Sequence, residues 1–133
     1  DAAVLDVKLK YLDEDNAKRQ KLAAYYYEHI SNPLITLPKK IADENNVYHQ
    51  FPIFCERRDE LQEYLKEHGV QTLIHYPIPP HHQECYAKES WNTPQLSLPI
   101  SEKIHQQELS IPMNQVISEE EAKIVVNAIN SFK

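Results

Sequence analysis

Glycine is nearly missing from this 133-residue sequence, with Gly69 as its only instance. A dinucleotide-binding turn or a phosphate-cradling P-loop needs several glycines, because backbone with φ > 0 must come close to the phosphate. Neither can be built here, so a phosphorylated cofactor would have to be gripped elsewhere. Cysteine is also sparse. Cys55 and Cys85 are too few for a disulfide framework and are expected to be reduced thiols. Cys55 lies in an apolar run that favours an inert buried thiol, and Cys85 has histidines nearby but no identified orienting carboxylate. No apolar stretch approaches the ~18 residues of a membrane helix, and no basic region followed by an apolar run opens the chain, so a cytoplasmic protein is expected. Positive charge is in deficit: 14 Lys+Arg against 20 Asp+Glu give a formal net charge of −6, interspersed along the chain. That balance argues against nucleic acid or an anionic membrane as partner. What is present, 41% hydrophobic and 26% charged residues, suits one globular domain with a modest core.

Apolar residues recur at roughly helical spacing through Val4, Leu5, Leu9, Leu12, Leu22, Ala23, Tyr26 and Ile30, which predicts one long helix over residues 1–30. No capping residue precedes it, as expected for a piece of a longer protein. Ser31-Asn32-Pro33 ends the helix, and residues 34–46 form a connection. The β-branched and aromatic run 47–55 predicts a first strand, with Pro52 arguing for an edge or a bulge. Leu61, Tyr64, Leu65 and His68 then follow helical spacing, and Gly69 stands where a left-handed C-terminal cap belongs. Residues 70–76 predict a second strand, 77–95 a proline-stiffened loop, 96–107 a segment that is helical beyond Pro99, and 108–112 a short third strand. Ser118 and Glu121 predict a capping box opening a last helix whose buried stripe is Ala122, Val125, Val126, Ile129 and Phe132. Three short strands, mostly antiparallel, with helices on one face make an α+β layer architecture.

The densest chemical cluster is His75-Tyr76-Pro77-Ile78-Pro79-Pro80-His81-His82-Gln83. Fixed proline φ angles make such a loop a rigid contact surface that loses little entropy on binding. The plainer reading is that the prolines stop the strand, His75 faces a core edge and His82 is solvated. His75, His81, His82 and Cys85 fall within eleven residues, but their spacings match none of the usual short zinc-ligand pairs and adjacent histidines rarely coordinate together, so no metal site is expected. Tyr25, Tyr26 and Tyr27 cover most of a helical turn, as packing residues or as an interface. The acidic run 119–121 suits a helix N-terminus.

Ala2-Ala3-Val4-Leu5, Lys8-Leu9-Lys10-Tyr11-Leu12, Tyr48-His49-Gln50-Phe51, Arg58-Asp59-Glu60-Leu61, Gly69-Val70-Gln71-Thr72, the His75-Tyr76-Pro77-Ile78-Pro79-Pro80-His81 loop and Leu109-Ser110-Ile111-Pro112-Met113 together resemble the C-terminal part of the DegT/DnrJ/EryC1/StrS sugar aminotransferases. Within them the loop looks most like the branch making dTDP-3-amino-3,6-dideoxyhexoses. The resemblance implies a pyridoxal-phosphate transaminase of fold type I, working as a homodimer in the biosynthesis of deoxyaminosugars for cell-surface polysaccharide such as lipopolysaccharide. It would take the amino group from glutamate and act on a dTDP-keto-6-deoxyhexose. It also implies that residues 1–30 link to a large domain and residues 31–133 form the small α+β domain. The aldimine lysine and the phosphate-gripping residues would lie upstream, so no catalytic or cofactor-binding residue is expected in this chain, which would be inactive alone and bind no cofactor. The family's Asn-x-Arg element would end just before Asp1, and Asp1 departs from the family's usual glutamine. By resemblance His75, Tyr76, His81 and Gln83 border the sugar-nucleotide pocket, with His81 the leading contact to a sugar hydroxyl or diphosphate oxygen and His82 turned to solvent. The alternative is a stand-alone α+β protein-interaction module without catalysis, using the first helix and the tyrosine face.

Overall fold

The computed structural model describes residues 2–40, 46–89, 91–93 and 96–133. Asp1, residues 41–45 of the predicted connection and residues 90, 94 and 95 of the predicted loop lie outside them. The N-terminal stretch is not one helix but two, α1 (Ala2–Leu9) and α2 (Leu12–His29). Between them Tyr11 N–H closes a turn onto the Lys8 carbonyl at 3.0 Å. Packing explains the break. No residue of α1 is buried, whereas α2 is anchored through Leu22, Ala23 and Tyr26, and helix continuity in water depends on such anchoring more than on propensity.

Against α2 packs α5 (Glu119–Ser131), which buries Ala122, Val125, Val126, Ala128 and Ile129, with Phe132 buried just beyond it. Its start is the predicted capping box: Glu121 N–H donates to Ser118 Oγ at 3.2 Å, and Ser118 N–H donates to Glu121 Oε2 at 2.8 Å. Tyr26 carries the core across to the sheet, its ring edge-on to Phe51 at 5.2 Å and its hydroxyl donating to the Pro112 carbonyl at 2.8 Å. Burial pushes the Tyr26 phenol strongly upward.

Among the described residues the sheet has two strands where three were expected. β1 (Phe51–Phe54) pairs antiparallel with β2 (Glu108–Ile111), Phe51 opposite Ile111 and Phe54 opposite Glu108. β1 starts later than expected because Tyr48 adopts φ 48°, a left-handed conformation that no extended strand accommodates. The expected strand over 70–76 contributes one bridge only, Leu73 to Ser110. Its ladder stops there because the His75 N–H donates to the Glu108 carboxylate, not to a strand carbonyl, and Pro77 has no N–H to give. Thr36 forms a matching single bridge to Phe54 on the other side, so Pro52 sits in a strand with scant pairing on that edge.

Between the strands runs α3 (Arg58–Glu67), burying Leu61 and Leu65. It ends in a Schellman motif: Val70 N–H reaches Leu65 O at 2.8 Å, Gly69 N–H reaches Lys66 O at 3.0 Å, and Gly69 has φ +77°. Two short 3-10 turns, Pro80–His82 and Glu84–Tyr86, punctuate the loop before α4 (Pro99–Gln107), which starts at Pro99 as expected. Among the described residues the result is an α+β arrangement of five α-helices and a two-stranded antiparallel sheet, with α1 unpacked.

Candidate functional site

β2 is buried along its whole length. Alternation sends Leu109 and Ile111 to one face and Glu108 and Ser110 to the other, and the second face is covered by the segment carrying His75. Glu108 Oε2 accepts the His75 backbone N–H at 2.6 Å, and Glu108 Oε1 accepts the Ser110 hydroxyl at 2.6 Å. Ser110 Oγ in turn lies 2.9 Å from His75 Nδ1. The half-buried His75 therefore stands on a rigid polar support. It borders a cleft of about 980 Å³ lined also by His49, Gln62, Thr72, Ser110 and Met113, whose lining is rich in hydrogen-bonding groups.

The other predicted contacts do not share that cleft. Tyr76 is exposed, with its carbonyl accepting a hydrogen bond from His105 Nδ1. Gln83 donates from Nε2 to the Ile78 carbonyl at 3.3 Å, a bond that folds the loop on itself. His81 is 95% buried, being 5% exposed. Its Nε2 meets Glu102 Oε1 at 3.0 Å, its carbonyl accepts from Asn92 Nδ2 at 2.9 Å, and its Nδ1 is buried without a partner. Glu102 Oε1 also accepts the Leu98 N–H at 2.8 Å. That backbone hydrogen bond first, and His81 second, hold the Glu102 carboxyl below its usual range. His82 is exposed as expected, its ring 4.2 Å from that of His81.

His81, His82 and Glu102 are the one group of metal-ligand type among the described residues, with candidate atoms within 4.8 Å of one another. The Glu102 oxygen facing the imidazole already accepts two hydrogen bonds, which a cation would have to displace. The cluster acts as a latch that ties the proline loop to the start of α4. Cys55 is buried and desolvation raises its thiol, which keeps it inert, while Cys85 is exposed.

Glu108, Ser110 and Glu102 escaped the sequence reading. The alternation Glu108-Leu109-Ser110-Ile111 is that of any half-exposed strand, and only the overlying segment makes its polar face buried. An acidic residue in the first turn of α4 likewise reads as an ordinary helix start.

The family model described as DegT/DnrJ/EryC1/StrS aminotransferase family matches residues 1–130. The chain belongs to that family. It is 51% identical over 106 residues to the dTDP-3-amino-3,6-dideoxy-alpha-D-galactopyranose transaminase of Aneurinibacillus thermoaerophilus, a match covering 80% of this chain and 28% of the relative. To the dTDP-3-amino-3,4,6-trideoxy-alpha-D-glucose transaminase of Streptomyces venezuelae it is 42% identical over 107 residues, with the same coverages. Among solved structures, S. venezuelae DesV in complex with a ketimine intermediate superposes with a TM-score of 0.89 at 39% identity, over 97% of this chain and 34% of DesV. The chain thus spans about 28% of the length of these curated relatives.

The lysines of this DegT-family chain do not fit the role of a cofactor anchor. Every one of them is exposed. Lys18, Lys21 and Lys123 are held protonated, each chiefly by a hydrogen bond to a glutamate, and Lys66 at the cleft is paired with Glu63 at 3.0 Å. An amine that forms a Schiff base needs the opposite environment, one that favours the neutral form.

Proposed function

We propose that the protein to which this chain belongs transfers an amino group from glutamate to a dTDP-3-keto-6-deoxyhexose. This chain would be its small domain bordering the sugar nucleotide. The observation that carries the reading is the 51% identity to a dTDP-3-amino-3,6-dideoxyhexose transaminase, coupled to a polar cleft at His75. Pyridoxal phosphate, implied by family membership, would serve as electron sink. With no fitting lysine here, it would be held by the large domain, and this chain alone would be inactive.

Within this proposal the chain's own residues bind and orient. His75 and the exposed Tyr76 offer contacts to the sugar nucleotide, while His81 and Gln83 hold the loop in shape. A direct contact from His81 would require the Glu102 latch to open and expose Nδ1. The exposed apolar side chains of α1, Val4, Leu5, Val7 and Leu9, would pack on the large domain or the dimer mate. The same surface is what favours the interaction-module reading, in which it meets an unrelated protein.

The test is an assay of the full-length protein with glutamate and dTDP-3-keto-6-deoxyhexoses, following the amino sugar by mass spectrometry. Formation of a 3-amino product that is lost without glutamate supports the proposal. No amino sugar from any 3-keto substrate would refute it.

A further inference from the structure

We propose that Glu108 and Ser110 are positioning residues that lock His75 in its Nδ1–H tautomer, so that Nε2 presents a lone pair to the cleft and takes a hydrogen-bond-donating ligand group, a hydroxyl or an amine. The hydrogens available to these groups fix the tautomer. Glu108 accepts at both oxygens, from the His75 backbone N–H and from Ser110 Oγ, each at 2.6 Å. Both oxygens of the carboxylate are thus engaged as acceptors. Serine has one hydroxyl hydrogen, and it goes to Glu108. Toward His75 Nδ1, 2.9 Å away, Ser110 Oγ therefore offers only a lone pair, and Nδ1 must supply the hydrogen. In a neutral imidazole the other nitrogen is then an acceptor, the reverse of the tautomer that predominates for histidine in water. Both supports are shielded, Glu108 4% and Ser110 6% exposed, so solvent does not compete for the relay. The backbone keeps it in register: the Leu73 and Ser110 main chains exchange hydrogen bonds of 3.1 and 2.8 Å two residues before His75.

The identity of the ligand as a keto sugar nucleotide rests on the function proposed above; the tautomer does not. A cleft presenting an acceptor at His75 would prefer a sugar hydroxyl there over a phosphate oxygen, which can only accept.

The experiment is two-bond ¹H–¹⁵N correlation spectroscopy of ¹⁵N-histidine-labelled protein at about pH 8, above ordinary imidazole titration, with the His75 signals assigned through His75→Asn. Wild type should show Nδ1–H. Glu108→Gln keeps the shape, but its amide N–H₂ donates to Ser110 Oγ and releases the serine hydrogen toward Nδ1, so His75 should flip to Nε2–H. Ser110→Ala should also give Nε2–H, and it answers the question if the glutamine variant does not fold. An Nε2–H signal in wild type, or an unchanged Nδ1–H in the folded variants, overturns the relay. Adding a dTDP-sugar to the full-length protein should shift the His75 Nε2 resonance while sulfate, an anion with acceptors only, leaves it in place, and a shift with sulfate overturns the donor preference. In full-length enzyme Glu108→Gln should raise the KM for the sugar nucleotide about tenfold, as expected for one lost hydrogen bond. If the tautomers behave as stated while no dTDP-sugar moves Nε2, the sugar-nucleotide assignment fails and the relay stands.

Discussion

The His81 imidazole meets the Glu102 carboxylate at 3.0 Å across 21 residues of chain. The bond joins the proline loop to the helix that follows it. The same oxygen accepts the Leu98 N–H, so one carboxylate both caps α4 and pins the loop. In full-length enzyme, His81→Ala is expected to raise the KM for the sugar nucleotide or lower turnover through loss of loop order, leaving cofactor binding intact. The exposed His82 replaced by alanine should behave as wild type. Steady-state kinetics of the two variants checks this, and wild-type constants for His81→Ala would contradict it.

Glu102 also sets an acid-side limit. Its carboxyl is held below the ordinary value of 4.5, so its contribution to the folded state is complete above that value and is lost as pH falls through the lowered one. The melting temperature of Glu102→Gln should lie below that of wild type at neutral pH, and the gap should close as the solution is taken below 4.5. A gap that stays constant with pH would show that the ionised form is not what matters.

Gly69 separates strain from clash. Its φ is +77°, and a Cβ built on it meets nothing within 4 Å. Gly69→Ala should therefore cost only the left-handed backbone penalty, about 1–2 kcal/mol, and Gly69→Asn should cost less because asparagine tolerates that region. Urea denaturation of both variants measures the difference.

Tyr26→Phe should lower stability by about 1–1.5 kcal/mol, the net value of one buried hydrogen bond, because its hydroxyl is bound to the Pro112 carbonyl at 2.8 Å. Pro112 also lines the cleft, so hydrogen exchange should rise there as well as in α2.

Substitutions on α1 should divide folding from assembly. Leu5→Glu and Leu9→Glu alter side chains that are each 65% exposed and should change the melting temperature of this chain by no more than surface substitutions do, about 0.5 kcal/mol in equivalent stability. In the full-length protein the same changes should weaken subunit or domain association, read by sedimentation.

The sequence by itself determined the features whose causes lie within one turn of chain. The Ser118–Glu121 cap spans three residues, the Gly69 terminus depends on one residue without a Cβ, and the α5 stripe follows from helical spacing. The loop was legible for the same reason, since prolines act on their own backbone. Tertiary structure decided the rest. Helical spacing continued through Tyr11, yet the helix breaks there because only α2 has something to pack against. The expected strand at 70–76 was diverted by a carboxylate 33 residues away. Of the four residues assigned to the pocket by resemblance, His75 alone lines the cleft and His81 is buried. The supports of His75, Glu108 and Ser110, carry no local signal at all. A polar side chain on a short strand becomes a buried positioning group only when another segment covers it, and pairing at that sequence distance is settled by packing of the whole chain.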